Sequence, residues 1–238
     1  MPNIIAKYQK LVYVAKLKKA YNTLENGFQK MLSDDGVEKL EDTQVFQAMS
    51  GSRYFYNFDR PFEAQLKKYF NIVDITSQRE TYRSIRIFNL GNKSFYNDLN
   101  GFIVFADGSM LIRSDFNKIS EKKSYEQCRK IKALGGHMCD LQGSFYLDVN
   151  GYKKPNTQGR DVFLFKVSGD GHVYPYGNWD AALYSADWPE YYQGYYWKTE
   201  PRECGEEGKP INPSELYSFG AGSYCAARIM DSGWVMDY

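Results

Sequence analysis

From Ile4 to Ser33, apolar side chains recur at positions 4, 8, 11, 15, 17, 21, 24, 28 and 31. This is the spacing of one helix face, with a single slip of phase near Ala15. The turn formers Ser33, Asp34, Asp35 and Gly36 close the pattern. Thirty residues rising 1.5 Å each predict a rod about 45 Å long, more than a domain of this size needs to cross its own core. The first turns should therefore project. Their apolar face, Ile4, Ile5, Tyr8, Leu11 and Val12, precedes any strand able to cover it. It needs either a partner outside the domain, such as a neighbouring helix of the same kind, or cover from elements later in the chain.

A second, shorter helix is predicted at 60–70, "RPFEAQLKKYF", with Pro61 near its start. After it the hydrophobic period changes to two. "SIRIFNL" (84–90) reads as a strand. "GFIVFADGSMLIRS" (101–114) and "DVFLFKVSGDGHVYPYG" (161–177) read as hairpins that turn at Asp107-Gly108 and Asp170-Gly171. The fold class is α+β: a long N-terminal helix packed on an antiparallel sheet. The predicted organisation is a single domain over 1–238, with the long helix at 1–33 and a helical insert at 34–80 that forms a small flap beside the sheet. The sheet follows at 81–177 and a loop-rich, disulfide-bonded tail at 178–238. No internal repeat or low-complexity linker interrupts it.

Net charge excludes little, since 30 Lys and Arg balance 29 Asp and Glu, and nothing in that balance asks for nucleic acid. Its distribution is informative. Residues 1–30 hold six Lys against Glu25, whereas 170–238 hold eleven acids against four bases, so the helix is basic and the tail acidic. The four cysteines, Cys128, Cys139, Cys204 and Cys225, lack the C-x-x-C spacing of a zinc or redox motif. An even number in loop-rich sequence suits two disulfides in an oxidising compartment. Cys128–Cys139 and Cys204–Cys225 are the expected pairs, because they close short loops.

Catalytic patterns are not evident. His137 and His172 are the only histidines, and no nucleophile elbow, phosphate loop or H-E-x-x-H occurs. The sequence points to assembly rather than catalysis, with calcium the one cofactor to consider. An alternative, a secreted carbohydrate-active enzyme, rests on carboxylate pairs such as Glu206-Glu207, which sit in loop sequence. Between 174 and 197 ten Tyr or Trp crowd into "YPYGNWDAALYSADWPEYYQGYYWK". Such rings fill cores, join subunits or stack on sugars. If they face solvent together, Trp179, Trp188, Tyr192, Tyr196 and Trp197 form a candidate glycan-binding face, as in a filament-tip adhesin.

In "DVNGYKKPNTQGRD" (148–161), Asp148, Asn150, Asn156 and Asp161 gather oxygen-bearing side chains around two glycines and a proline. That composition can wrap a hard cation such as Ca²⁺. It can equally form a turn held by side-chain bonds to its own backbone. The EF-hand pattern is not met, because the terminal Glu is missing and Lys153 and Lys154 sit mid-loop. In both readings Asp161 is expected to accept backbone N–H bonds or to coordinate the ion.

The helix with Pro2, "YQK" and "KLKKAYNTLENGFQKM", together with "LDVNGYKKPNTQGRDVFLF" and the closing "YCAARIMDSGWVMDY", resembles type IV pilins and type II secretion pseudopilins, prepilin-type proteins of bacteria. The resemblance implies a ladle-shaped subunit. The C-terminal half of its long helix packs on a sheet, and its apolar N-terminal half builds a filament core with other pilin-like subunits. It implies a cell-surface or periplasmic location, and a full-length form anchored in the inner membrane before assembly. Leader, cleavage-site glycine and apolar membrane stretch do not occur in this sequence, so it reads as the soluble part of such a subunit. Some pseudopilins also hold calcium in a loop of the sheet, which the resemblance extends to 148–161.

Overall fold

A computed structural model describes residues 2–48, 64–76, 86–92, 94–96, 102–116, 141–176, 178–179, 194–195, 204 and 221–238. Its centre is an antiparallel sheet of six strands: β1 (Ile72–Thr76), β4 (Phe102–Phe105), β5 (Met110–Phe116), β6 (Leu141–Asp148), β7 (Val162–Ser168) and β8 (Val173–Pro175), in the order β1-β4-β5-β6-β7-β8. Both predicted hairpins are present. Their turns place Gly108 and Gly171 at positive φ, and Asp107 Oδ1 accepts from Ser109 N at 3.0 Å to brace the first.

Alternation along the strands sorts side chains to two faces. Ile103, Phe105, Leu111, Phe145, Leu147, Phe163, Phe165 and Val167 meet α1 (Pro2–Asp35) in the main core. Phe102, Val104, Met110, Ile112, Tyr146 and Val162 point the other way, onto Ile87. Burial on both faces explains why β4 and β7 read as nearly unbroken apolar runs.

α1 spans 34 residues, about 50 Å. Val14, Leu17, Ala20, Leu24, Phe28 and Met31 are buried, whereas Ile4, Ile5, Tyr8 and Leu11 stay 59–73% exposed. The slip of phase near Ala15 thus marks where the helix leaves the sheet. Its docked half is pinned to the β7–β8 turn. Glu25 Oε2 accepts from Val173 N and Oε1 pairs with His172 Nδ1, both at 2.6 Å, and Gln29 Nε2 donates to the Asp170 carbonyl at 2.9 Å.

Elsewhere the structure redraws the expected layout. Within 34–80 it places a 3₁₀ turn (Leu40–Asp42), a short α2 (Gln44–Gln47) and helical residues at 64–66. It also places β1 there, an edge strand of the main sheet that pairs with β4. The 84–90 strand is shorter than expected: β2 (Ile87–Phe88) pairs with β3 (Ser94–Tyr96) in a separate ribbon. Two further short strands, β9 (Asn178–Trp179) and β10 (Gly194–Tyr195), pair with each other.

The tail, expected to be loop-rich, contains α3 (Cys225–Asp231), which begins at a disulfide between Cys204 and Cys225. Arg228 of this helix is fully buried. Its Nε and Nη2 bind the Asp237 carboxylate at 2.8 and 2.9 Å, and its Nη1 donates to the Cys204 carbonyl at 2.7 Å. Bidentate pairing and the carbonyl bond compensate the buried guanidinium, which is otherwise costly to desolvate. Cys128 and Cys139 lie outside the described residues.

Candidate functional site

Between β6 and β7 the chain makes a loop that is buried at 148, 149, 151 and 156–159 and exposed at 152–154, and two carboxylates fold it. Asp148 Oδ1 accepts from Asn150 N and Gly151 N, each at 2.9 Å. Asp161 closes the other end, Oδ2 accepting from Asn156 N at 2.9 Å and Oδ1 from Thr157 N at 2.6 Å. Short Asp side chains reach backbone donors two to five residues away, as in Asx turns.

The rest of the backbone is clamped from outside. Val149 N donates to Asp161 O, and the 156–158 segment exchanges bonds with β2 through Phe88 N→Asn156 O (2.9 Å) and Gln158 N→Phe88 O (2.8 Å). Tyr238 Oη donates to Gly159 O at 2.6 Å. Two glycines are required by close approach. Gly151 (φ 66°) lies against the Gly108 carbonyl, and Gly222 (φ 101°) leaves no room for a Cβ, which would sit 2.7 Å from the Gln158 carbonyl carbon. The disulfide packs beneath, so that a Cβ on Gly159 would come within 2.8 Å of Cys225 Sγ.

Side chains inside the loop are less well matched than its backbone. The buried side-chain oxygens Asp148 Oδ2, Asn150 Oδ1, Asn156 Oδ1 and Gln158 Oε1 have no hydrogen-bond partner. Burial, and then the neighbouring Asp161 carboxylate, push the Asp148 carboxyl well above its usual range, against the pull of the Asn150 and Gly151 amides and of Lys16 on α1. Burial also raises Asp161, with the Thr157 and Asn156 amides opposing. From α1, Tyr13 faces the same cluster, its hydroxyl pushed up by burial and then by the Asp161 charge.

All four residues expected here, Asp148, Asn150, Asn156 and Asp161, are thus gathered by one loop. Asp161 spends both oxygens on the backbone, as one of the two expected roles required. Gln158 escaped the sequence reading. Its neighbours Asn156, Thr157 and Gly159 look like solvated turn sequence, yet Gln158 is 1% exposed.

Among the described residues no group of three or more His, Cys, Asp or Glu is placed to hold a metal. A cation here would therefore be held largely by amide and backbone oxygens. Of the expected glycan face, Trp188, Tyr192, Tyr196 and Trp197 lie outside the described residues, as do Glu206, Glu207 and His137, and Trp179 is described only as backbone of β9. His172 is engaged with Glu25. No described helix is long and apolar enough to cross a membrane. No family model, curated protein or solved structure matches the chain.

Proposed function

We propose that the chain is a structural subunit of a pilin-like or pseudopilin-like bacterial filament and works by assembly through α1. The observation that carries this reading is the division of the helix. The half from Val14 onward is buried on the sheet, while Ile4, Ile5, Tyr8 and Leu11 form an apolar stripe beyond it, with Leu11 at 69% and Ile4 at 73% exposure. Four large apolar side chains on one helix face make a natural seam for a like helix. Charge supports copies of the same chain as partner, because a helix of net +5 over residues 1–30 can meet a C-terminal region of net −7 over 170–238 on the next copy. A repeated contact of this head-to-tail kind leaves a free surface at each end and builds a fibre. The disulfide at Cys204 and Cys225 suits the extracellular or periplasmic setting of such filaments.

The test is a photo-crosslinker in place of Tyr8 in the native cell. Adducts spaced by whole multiples of this chain support assembly. Crosslinks to lipid or unrelated proteins alone, or none, refute it.

A further inference from the structure

We propose that Asn150 is a site of spontaneous covalent modification, at which the backbone nitrogen of Gly151 closes on the Asn150 side chain with Asp148 as proton acceptor and leaves aspartate or isoaspartate at position 150. An Asn followed by Gly is the pair most open to this ring closure, because glycine has no Cβ to crowd its own nitrogen. The fold imposes that glycine here. Gly151 has a φ of 66°, and a Cβ on it would run into the Gly108 carbonyl oxygen. The reacting atoms belong to adjacent residues and close a five-membered ring, so no long-range approach is needed.

What the structure adds is the base. For the ring to close, the Gly151 nitrogen must give up its hydrogen, and that N–H already points at Asp148 Oδ1, 2.9 Å away. A carboxylate held at this distance takes the proton outright. Asp148 is 0% exposed, and burial together with the Asp161 charge makes its carboxylate a stronger base than one in water. Its other oxygen, Oδ2, has no hydrogen-bond partner and is free to carry the proton. The leaving nitrogen is lightly held, since Asn150 Nδ2 donates to the Lys154 carbonyl over 3.4 Å.

The step balances with water as the one co-reactant. The bond from Gly151 N to Asn150 Cγ forms and the bond from Cγ to Nδ2 breaks. The proton taken by Asp148 passes to Nδ2, which departs as ammonia. Water then opens the cyclic imide at either carbonyl, giving aspartate or isoaspartate. It has access, because Asn150 is half-buried and the next three residues, Tyr152, Lys153 and Lys154, are exposed. The product sets a new carboxylate in the loop that Asp148 and Asp161 fold, where like charges repel. Isoaspartate also lengthens the backbone between two amides that Asp148 holds.

The same dipeptide occurs at Asn26-Gly27, in the middle of α1. There the Gly27 N–H is spent on the helix ladder, and a carbonyl accepts a hydrogen bond but does not take the proton. Asn26 is therefore an internal control. Asn100-Gly101, the third such pair, lies outside the described residues.

This inference does not depend on assembly and is tested on the whole purified chain. Native protein is held in mildly alkaline buffer, sampled over days, digested and mapped by mass and chromatography. The Asn150 peptide should gain one mass unit and split into two forms, while the Asn26 peptide stays unchanged. Asp148→Asn still accepts the N–H bond but supplies no carboxylate, and should slow conversion at 150 about a hundredfold, the lower end of what a positioned proton acceptor contributes. Asn150→Asp, a copy of one product, should lower Tm. Conversion at Asn150 no faster than at Asn26, or equally fast in Asp148→Asn, overturns the proposal. Should that variant not fold, the comparison of the two sites in the native chain decides.

Discussion

Gly27 lies in the docked half of α1, where alanine would ordinarily add up to about 1 kcal/mol of helix propensity. The Phe70 ring occupies the space instead. A Cβ built on Gly27 would lie 2.6 Å from Phe70 Cζ and 2.8 Å from Cδ1. That ring cannot swing aside easily, since it is buried edge-on against Phe28 and Phe105. Gly27→Ala should therefore destabilise, by about 1–3 kcal/mol in urea melts, and Phe70→Leu in the same chain should recover part of the loss. A gain from the single substitution would show that the ring yields.

Lys166 offers a second test at this scale. It sits on β7 with its ammonium 4.7 Å from the Tyr176 ring, and burial lowers its pKa from 10.5 to about 8. Between those values the folded chain binds fewer protons than the unfolded one, so stability rises with pH across about 8 to 10.5, and the full penalty applies below pH 8. Lys166→Met keeps the apolar stem and removes the charge. It should stabilise at pH 7 by up to about 3 kcal/mol, with the gain shrinking toward pH 10.5. A difference that does not change between pH 7 and 10 contradicts this.

Among elements, α3 and its disulfide carry the clearest expectation. The 21-residue separation of Cys204 and Cys225 gives about 3 kcal/mol of loop-closure stabilisation. Replacing both by Ser should cost that much by denaturant titration, and the β6–β7 loop that rests on Cys225 should exchange amide hydrogens faster. Unchanged exchange at Gly159 would separate the two elements.

Legibility in the sequence also varied by element. α1 and both hairpins announced themselves because their signals are local: a long 3.6-residue period, and Asp-Gly turns between apolar runs. β1 did not. "IVDIT" is five residues with an acid at its centre, and it earns its place only by pairing with β4, some thirty positions later. α3 was hidden for a related reason. Its Ala226, Ala227 and buried Arg228 make no amphipathic stripe until Asp237 and the Cys204 carbonyl are brought beside it. In the candidate site, the Asp and Asn residues were legible as loop formers, whereas the burial of Gln158 depends on β2 and Gly222 closing over it.

For the whole molecule, the boundary at Val14 divides substitutions into two classes. Leu17→Ala or Leu24→Ala should cost about 2–5 kcal/mol, because both side chains are at most 1% exposed within the core. Ile4→Glu and Leu11→Glu should change stability by less than about 0.5 kcal/mol, since neither side chain is buried in the isolated chain. Thermal melts of all four check this, and a large loss from Leu11→Glu would mean that the projecting turns fold back on the domain.

The pinning of α1 to the β7–β8 turn also bears on how the polypeptide matures. Glu25 meets Val173 at a separation of 148 residues and Gln29 meets Asp170 at 141, while Tyr21 and Lys18 pack on Trp234, further along still. The helix is thus completed by segments made well over a hundred residues after it. Until β7, β8 and Trp234 have been made, its sheet-facing side, Leu17 to Met31, lacks part of its native cover. A nascent polypeptide of this kind is suited to holding by chaperones before it folds.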